Sequence, residues 1–355
     1  MKFQHYLLQQ LNLHPCMQPQ DIVKLCYQAS FGAEHLLQDI ETAKKYFNNE
    51  YNSVAEQNMD LFEEISPFVC RINLAAWKAS KMPSEWLFHM FLNTANIPQG
   101  GNDIFLQNLK TAETVLIKTE VSFSFDEWHD YLNQYKKSGI HAVHHSGIYR
   151  QKERPAYRIV HKRFLRLLPI LQKAALLSHN EKAKIIAIDG RAASGKSTLA
   201  DDLRLILHAG IVHMDDFFLP PDLRSKERYI EPGGNVHYER FAFEILPNLT
   251  DKESFSYTKF DCSIMDYNGT RLVEASEWRV VEGAYSCHPV FGNYADLKVF
   301  SDINPEEQMK RLIARNGAEM AERFRTQWIP MEEHYYNYYK IKEHADITIS
   351  NEETV

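Results

Sequence analysis

Apolar residues recur at helical spacing through the first half of the chain and gather into short unbroken runs in the second. Pro19 stands where a first-turn proline belongs, and Ile22, Val23, Leu25, Cys26 and Ala29 follow at helical spacing up to Gly32, which stops the segment. A second helix is expected over residues 34–47. Ser84 precedes Glu85-Trp86-Leu87-Phe88 and Met90-Phe91-Leu92, which reads as a capped apolar helix. Ser124 and Glu127 have capping-box spacing ahead of Trp128, Tyr131 and Leu132, and Gly139 lies past the end. From Pro155 a long helical pattern is expected over residues 157–177. Ile159, Phe164, Leu167, Leu168, Ile170, Leu171 and Leu176 form its apolar side, and Pro169 should kink or divide it.

The polar stretch 178–182 is the best boundary, dividing the chain into a mostly α-helical domain over 1–178 and a second domain over 179–355. Beyond it, short apolar strands alternate with helical patterns, the signature of a parallel sheet with crossover helices on both faces. The expected strands are 184–189, 211–214, 279–282, 297–300 and 347–349. The pattern shows no internal repeat and no low-complexity tract.

Composition changes this picture little. Of 355 residues, 44% are hydrophobic and 25% charged, enough apolar material to bury two cores. The formal net charge of −7 offers no basic field, so nucleic acid is not an expected partner. Cys16, Cys26, Cys70, Cys262 and Cys287 lack metal-site or disulfide spacing and suit a reducing compartment. No apolar run has the length of a membrane span, and Met1 to His5 leads into glutamines rather than a signal-peptide core. A cytoplasmic protein is expected, with self-association left open.

The chemistry concentrates where the apolar run beginning at Ile185 ends. The residues Ile185 to Asp189 lead directly into Gly190-x-x-x-x-Gly195-Lys196-Ser197-Thr198, the pattern of a phosphate-binding loop. Gly190 and Gly195 let the backbone curl so that the amides of Ala192, Ala193, Ser194 and their successors face phosphate oxygens. Lys196 adds an ammonium for the β- and γ-phosphates, and the Ser197 hydroxyl can ligate Mg²⁺. The helix expected to open near Gly195 turns its positive dipole end to the same spot. ATP and Mg²⁺ are the implied cofactors.

Asp215 and Asp216 follow a short apolar strand, on the edge where α/β sheets bind ligands. Phosphoryl transfer to an alcohol needs a carboxylate to accept the hydroxyl proton, which points to Asp215, with Asp216 orienting the acceptor or a metal water. Glu282 also ends an apolar strand and is a candidate for the metal. Arg311, Arg315, Arg323 and Arg325 lie on an expected helix–turn–helix. Arg311 and Arg315 are the stronger candidates for closing over phosphates, although Glu319 and Glu322 also suit a solvated charged face.

The run Met214-Asp215-Asp216-Phe217-Phe218-Leu219-Pro220, with Arg224, Arg228 and the segment Glu231 to Phe241, resembles the uridine kinase family of P-loop kinases, within the larger group of phosphoribulokinase, pantothenate kinase and nicotinamide riboside kinase. The resemblance covers roughly half the chain, from about Lys182 onward. It places the family's proton-accepting aspartate on Asp215, its metal-linked glutamate on Glu282 and its arginine-bearing lid on Lys310, Arg311 and Arg315. It implies substrate contacts from Asp216, His237, Arg240, Tyr257 and Asp261. His237 stands where the family has a sugar-binding aspartate, Phe260 where it has a base-contacting tyrosine, and Met265 where it has a stacking histidine. An imidazole cannot offer two carboxylate oxygens to a vicinal diol, so uridine itself is not implied.

The remaining motifs read as structural. Trp328 to Tyr339 is densely aromatic and suits core packing or a docking face. His141, His144 and His145 have no nearby acidic or cysteine ligand, which argues against a metal site. Residues 73–77 and 28–35 read as packed. The expectation is an ATP-dependent kinase acting on a hydroxyl of a small metabolite, behind a helical domain of unspecified role. The rivals are a nucleotide-gated binding module and a pseudo-kinase acting through that domain.

Overall fold

The computed structural model describes residues 2–33, 39–98, 100–177 and 181–350. The chain divides into two compact units, Met1–Arg166 and Leu167–Val355. Residues 34–38 of the second expected helix and 178–180 of the expected boundary lie outside the described residues.

The first unit carries helices α1 (Phe3–Leu13), α2 (Pro19–Phe31), α3 (Ile40–Ser53), α4 (Leu74–Ala79), α5 (Ser84–Ala95), α6 (Asn102–Leu116), α7 (Phe125–Lys137) and α8 (Gly147–Glu153). Local signals set several of their ends. Pro19 opens α2, Gly32 closes it at φ +60°, and Ser124 and Glu127 form the reciprocal capping box of α7. Ser84 is not a cap: Pro83 is extended and holds that position, so Ser84 is the first helical residue of α5. The helices accompany an antiparallel sheet of β1 (Phe62–Glu64), β2 (Val69–Asn73) and β3 (Tyr157–His161).

Strand β3 corrects the helix expected over 157–177. Its β-branched pair, Ile159 and Val160, is buried and pairs in register with Arg71 and Cys70 of β2, a partner some ninety residues away that local periodicity does not reveal. Behind this sheet runs a buried polar chain. The Asp21 carboxylate accepts from Ser146 Oγ at 2.6 Å and from His145 Nδ1 at 2.8 Å, and His145 Nε2 lies 2.6 Å from the Tyr157 hydroxyl. Both ring nitrogens of His145 are therefore taken by protein groups. Burial pushes its pKa down to about 4 despite Asp21.

The second unit begins with α9 (Leu168–Ala174), where Pro169 sits in the first turn and starts a helix instead of kinking one. It continues with strands β4 (Lys184–Gly190), β5 (Gly210–His213), β6 (Phe255–Asp261), β7 (Asp266–Val273), β8 (Trp278–Glu282), β9 (Leu297–Asp302) and β10 (Ile347–Ser350). Its helices are α10 (Lys196–Leu207), α11 (Lys226–Ile230), α12 (Tyr238–Glu244), α13 (Leu246–Leu249), α14 (Pro305–Asn316), α15 (Ala318–Arg323) and α16 (Ile329–Tyr339).

Five strands make one wholly parallel sheet in the order β10-β9-β4-β8-β5, while β6 and β7 form a separate antiparallel hairpin. All five strands expected from the sequence are present; the hairpin has no counterpart among them. Every residue of β4 is buried, as a central parallel strand requires, and fully burying Ile186 and Ile188 contributes about 1.5–3 kcal/mol each. This parallel sheet with its helices fits a P-loop NTPase-like fold. From β4 the chain crosses over β8 to reach β5, whereas from the neighbouring β9 it continues to β10 on the other side, so the connections after β4 and β9 run in opposite directions. Such a switch point opens a crevice at the strand ends.

Candidate active site

Gly190 ends β4 at φ +138°, and a Cβ there would stand 2.0 Å from the Ser301 carbonyl of β9, so no side chain fits between the two strands. The loop then turns through Ala193 at φ +58° and Gly195 at φ +92° before α10 starts at Lys196. Its backbone is held from several sides. Ala192 N–H donates to Glu332 Oε2 at 3.0 Å, and the Ala192 carbonyl accepts from Gln308 Nε2 at 3.0 Å. Tyr336 donates its hydroxyl to the Gly190 carbonyl, and Ser301 Oγ donates to the Ser194 carbonyl. Arg191 pairs with Glu333 and Asp302. The Lys196 ammonium reaches back over the loop to the carbonyls of Gly190 and Arg191, at 2.7 and 3.0 Å. Thr198 follows in the first turn of α10 and also faces the cleft.

The adjacent strand ends bring up the acidic groups. Ile188 of β4 and His213 of β5 are both in register with Glu282 of β8, so three strands finish together beside the loop. The Glu282 carboxylate accepts from Ser197 Oγ at 3.0 Å and from His213 Nδ1 at 2.6 Å. Burial alone would raise its pKa, but the hydrogen bonds from His213 and Ser197 and the Lys196 charge hold it below the usual range. Asp215 follows β5 in a short 3-10 turn and opens onto the same space. Its side chain is exposed to the cleft, and the surrounding protein together with the neighbouring Glu282 carboxylate pushes its pKa up. Gly283, at φ +135°, lets the end of β8 pass close by: a Cβ there would lie 2.8 Å from Met214 Cβ and 3.3 Å from Asp215 Oδ1.

These groups share one cleft of about 1520 Å³. Lys196, Ser197, Asp215 and Glu282 line its floor, and Arg311, Arg315 and Arg323 line the side formed by α14 and α15. Arg311 donates to Glu307 at 2.8 Å and Arg315 to Asn316 at 2.8 Å, while Arg325 pairs with Glu322 away from the lining. The aromatic run splits in two. Trp328 lines the cleft, as does Phe324 just before the run, whereas Tyr335 and Tyr336 are buried in the core beneath the loop.

None of Asp216, His237, Arg240, Tyr257 and Asp261 is in the cleft lining. Asp216 is buried, accepts from the Tyr257 hydroxyl at 2.8 Å and from Arg271 Nε at 2.6 Å, and gives its carbonyl to Arg240. Asp261 ties down the β6–β7 turn by accepting from Ser263 N–H and Oγ. His237 N–H donates to the Phe217 carbonyl, and its Nδ1 is buried. These five residues support the wall behind Asp215. The wall itself is made by Phe218, Arg224, Tyr229, Asn235, Cys262 and Met265.

Three further groups escaped the sequence reading. Glu332 approaches the loop from α16, about 140 residues away, and His213 acquires its meaning only through strand register with Glu282. Asp189 is fully buried and accepts from the amides of Gly190, Tyr285 and Cys287 and from the Tyr335 hydroxyl. Its place just before Gly190 was the one available hint.

Among the described residues, no cluster of three or more His, Cys, Asp or Glu side chains could hold a metal ion by itself. Ser197 and Glu282 do put two hard oxygen donors side by side. That set suits Mg²⁺, which takes one or two protein ligands and completes its shell with phosphates and water. No helix among the described residues is long and apolar enough to cross a membrane.

No family model and no curated protein matches the chain. Among solved structures, it is similar to a possible uridine kinase from Bacillus stearothermophilus, at 17% identity and a TM-score of 0.41, over 53% of this chain and 100% of that one. It is also similar to a Silicibacter sp. protein assigned as a fructose transport system kinase, at 21% identity and a TM-score of 0.41, over 52% of this chain and 98% of that one.

Proposed function

We propose that the second unit is an ATP-dependent phosphotransferase of the uridine kinase-like kind, acting on a hydroxyl of a small metabolite. The observation that supports this most directly is the convergence of Lys196, the bonded pair Ser197–Glu282, and Asp215 on one cleft beneath a glycine-shaped loop. A loop of inward amides with no acceptor-side carboxylate would suit binding alone. Asp215 supplies that carboxylate.

In this reading the amides of residues 192–198 and the start of α10 hold the triphosphate, and Lys196 leaves the carbonyls of Gly190 and Arg191 for phosphate oxygens. Ser197 and Glu282 would hold Mg²⁺, which would supply charge neutralisation at the phosphates. The acceptor oxygen bonds to the γ-phosphorus as the bond to the β,γ-bridging oxygen breaks, and ADP leaves with that electron pair. The hydroxyl proton passes to Asp215. Its raised pKa makes it a better proton acceptor than an ordinary aspartate. Arg311 and Arg315 face the transferring group from α14. Asp216, fixed by Tyr257 and Arg271, positions Asp215 instead of touching the acceptor.

The test is acceptor-dependent ADP release by wild type and Asp215→Asn over a panel of polyols, sugars and nucleosides. Stimulated release that is lost in the variant supports the kinase. ATP binding without stimulated release by any acceptor would leave the nucleotide-gated module as the better account.

A further inference from the structure

We infer that the acceptor carries an anionic group, a phosphate or a carboxylate, which Arg224 binds while the reacting hydroxyl lies at Asp215. This rests on the kinase reading above and narrows its substrate class.

Charge sets Arg224 apart. The second unit holds several arginines near the acceptor wall, and most are neutralised by carboxylates. Arg228 pairs with Glu239, Arg240 lies 3.5 Å from Glu244, and Arg271 pairs with Asp216. Arg224 differs. Among the described residues it has no carboxylate partner: Nε donates to the Leu219 carbonyl at 2.8 Å, and one terminal nitrogen lies 3.7 Å from Met265 Sδ. The first contact fixes the guanidinium plane, and the second is weak. A half-buried, oriented guanidinium thus lines the cleft with its charge uncompensated. Leaving it so is unfavourable unless a ligand supplies the counter-charge.

Its position separates it from the triphosphate's own cations. Arg311, Arg315 and Arg323 come from α14 and α15. Arg224 belongs instead to the wall made by the loop after β5 and the β6–β7 turn, together with Cys262 and Met265. Arg224, Cys262 and Asp215 line one and the same cleft.

The rest of that wall agrees. The acidic side chains lining the cleft are Asp215, Glu282 and Glu332, of which Glu282 is engaged by Ser197 and Glu332 by Ala192. Among the described residues, no further carboxylate is available there for a neutral vicinal diol. Besides Arg224 the cleft is lined there by Tyr229, Ser263 and Asn235, and the buried Asn235 Oδ1 has no protein donor among the described residues, so it accepts a ligand hydroxyl. A wall with one fixed cation and an open acceptor for a hydroxyl selects an anion bearing hydroxyls over a neutral polyol.

The full chain is tested first for binding of the non-hydrolysable ATP analogue AMPPNP with Mg²⁺. Failure here sinks the kinase reading itself, apart from the present inference. With binding established, ADP release is compared for glycerol, glycerate and glycerol 3-phosphate, and for ribose, ribonate and ribose 5-phosphate. Inorganic phosphate is titrated onto the AMPPNP complex as a minimal probe. The expected result is kcat/KM about 10- to 100-fold higher for an anionic member than for its neutral counterpart, as one charge-assisted contact provides. Arg224→Gln should bring that ratio to within about threefold, abolish phosphate binding beside AMPPNP and leave AMPPNP affinity intact. Arg224→Lys should restore part of the preference. Better turnover of carboxylates or of phosphates identifies which anion is read. The inference is overturned if neutral members are used as well as anionic ones, or if Arg224→Gln weakens AMPPNP as much as the acceptor. It is equally overturned if AMPPNP binds but neither inorganic phosphate nor any anionic compound does.

Discussion

Glu332 accepts the Ala192 N–H at 3.0 Å, joining α16 to the loop that forms the cleft floor. Gln308 of α14 takes the carbonyl of the same residue. Ala192 is therefore held through both its carbonyl and its amide, by the arginine-bearing α14 and by α16. Burial raises the Glu332 pKa to about 7, against which Lys196 and the Ala192 amide act only partly.

This makes stability depend on pH with a definite sign. The folded pKa lies above the ordinary glutamate value, so folding favours the protonated form. The stabilisation is complete below about pH 4.5 and is lost as pH rises to about 7. Glu332→Gln keeps an oxygen for Ala192 without the charge. It should unfold like wild type near pH 5 and be more stable by roughly 3 kcal/mol at pH 8. Denaturant unfolding at the two pH values measures this; equal shifts at both would contradict it.

The same carboxyl should report nucleotide binding. A triphosphate brings negative charge beside Lys196 and Glu332, so Glu332 should take up a proton when ATP binds near neutral pH. Calorimetry in buffers of different ionisation enthalpy should show uptake in wild type and a reduced uptake in Glu332→Gln.

Lys196→Ala should retain the fold, because the ammonium bonds two loop carbonyls that water can satisfy instead, while turnover falls by about a thousandfold or more. Circular dichroism and ADP release check the two halves. A variant that stayed active would exclude the proposed phosphate site.

Asp215→Asn removes the proton acceptor and should lower kcat by about 10²–10⁴ while nucleotide still binds. In wild type, activity should climb with pH along a limb displaced above the ordinary aspartate range, because Asp215 acts only when ionised and its pKa is raised. A limb that persisted unchanged in Asp215→Asn would assign it to another group.

Gly283→Ala combines an unfavourable φ of +135° with a contact 2.8 Å from Met214 Cβ. It should cost about 1–3 kcal/mol and displace Asp215, lowering kcat more than it alters nucleotide affinity. Full activity in a folded Gly283→Ala would show that the approach of β8 does not position Asp215.

What could be read from residues alone was whatever depends on neighbours in sequence. The five parallel strands, the turn from Gly190 to Lys196, the first-turn role of Pro19 and the capping box of Ser124 and Glu127 are all local patterns of apolar period, glycine placement and hydrogen-bonding side chains. Asp215 and Glu282 were visible because an acid ending an apolar strand must emerge at a sheet edge. The structure decided what depends on distant partners. Tyr157 to His161 became a strand because β2 supplied its hydrogen bonds, and Trp328 separated from Tyr335 because only one side of that segment faces the cleft. Asp216, Tyr257 and Arg240 moved behind the wall because Arg271, on a hairpin without a clear period, reached across to pair with Asp216. Glu332 met Ala192, and Arg224 was left without a counter-charge, through packing between segments whose sequence separation carries no periodic signal. Local order is encoded in a few adjacent residues, whereas pairing of charges and amides across the fold is settled only when the chain closes on itself.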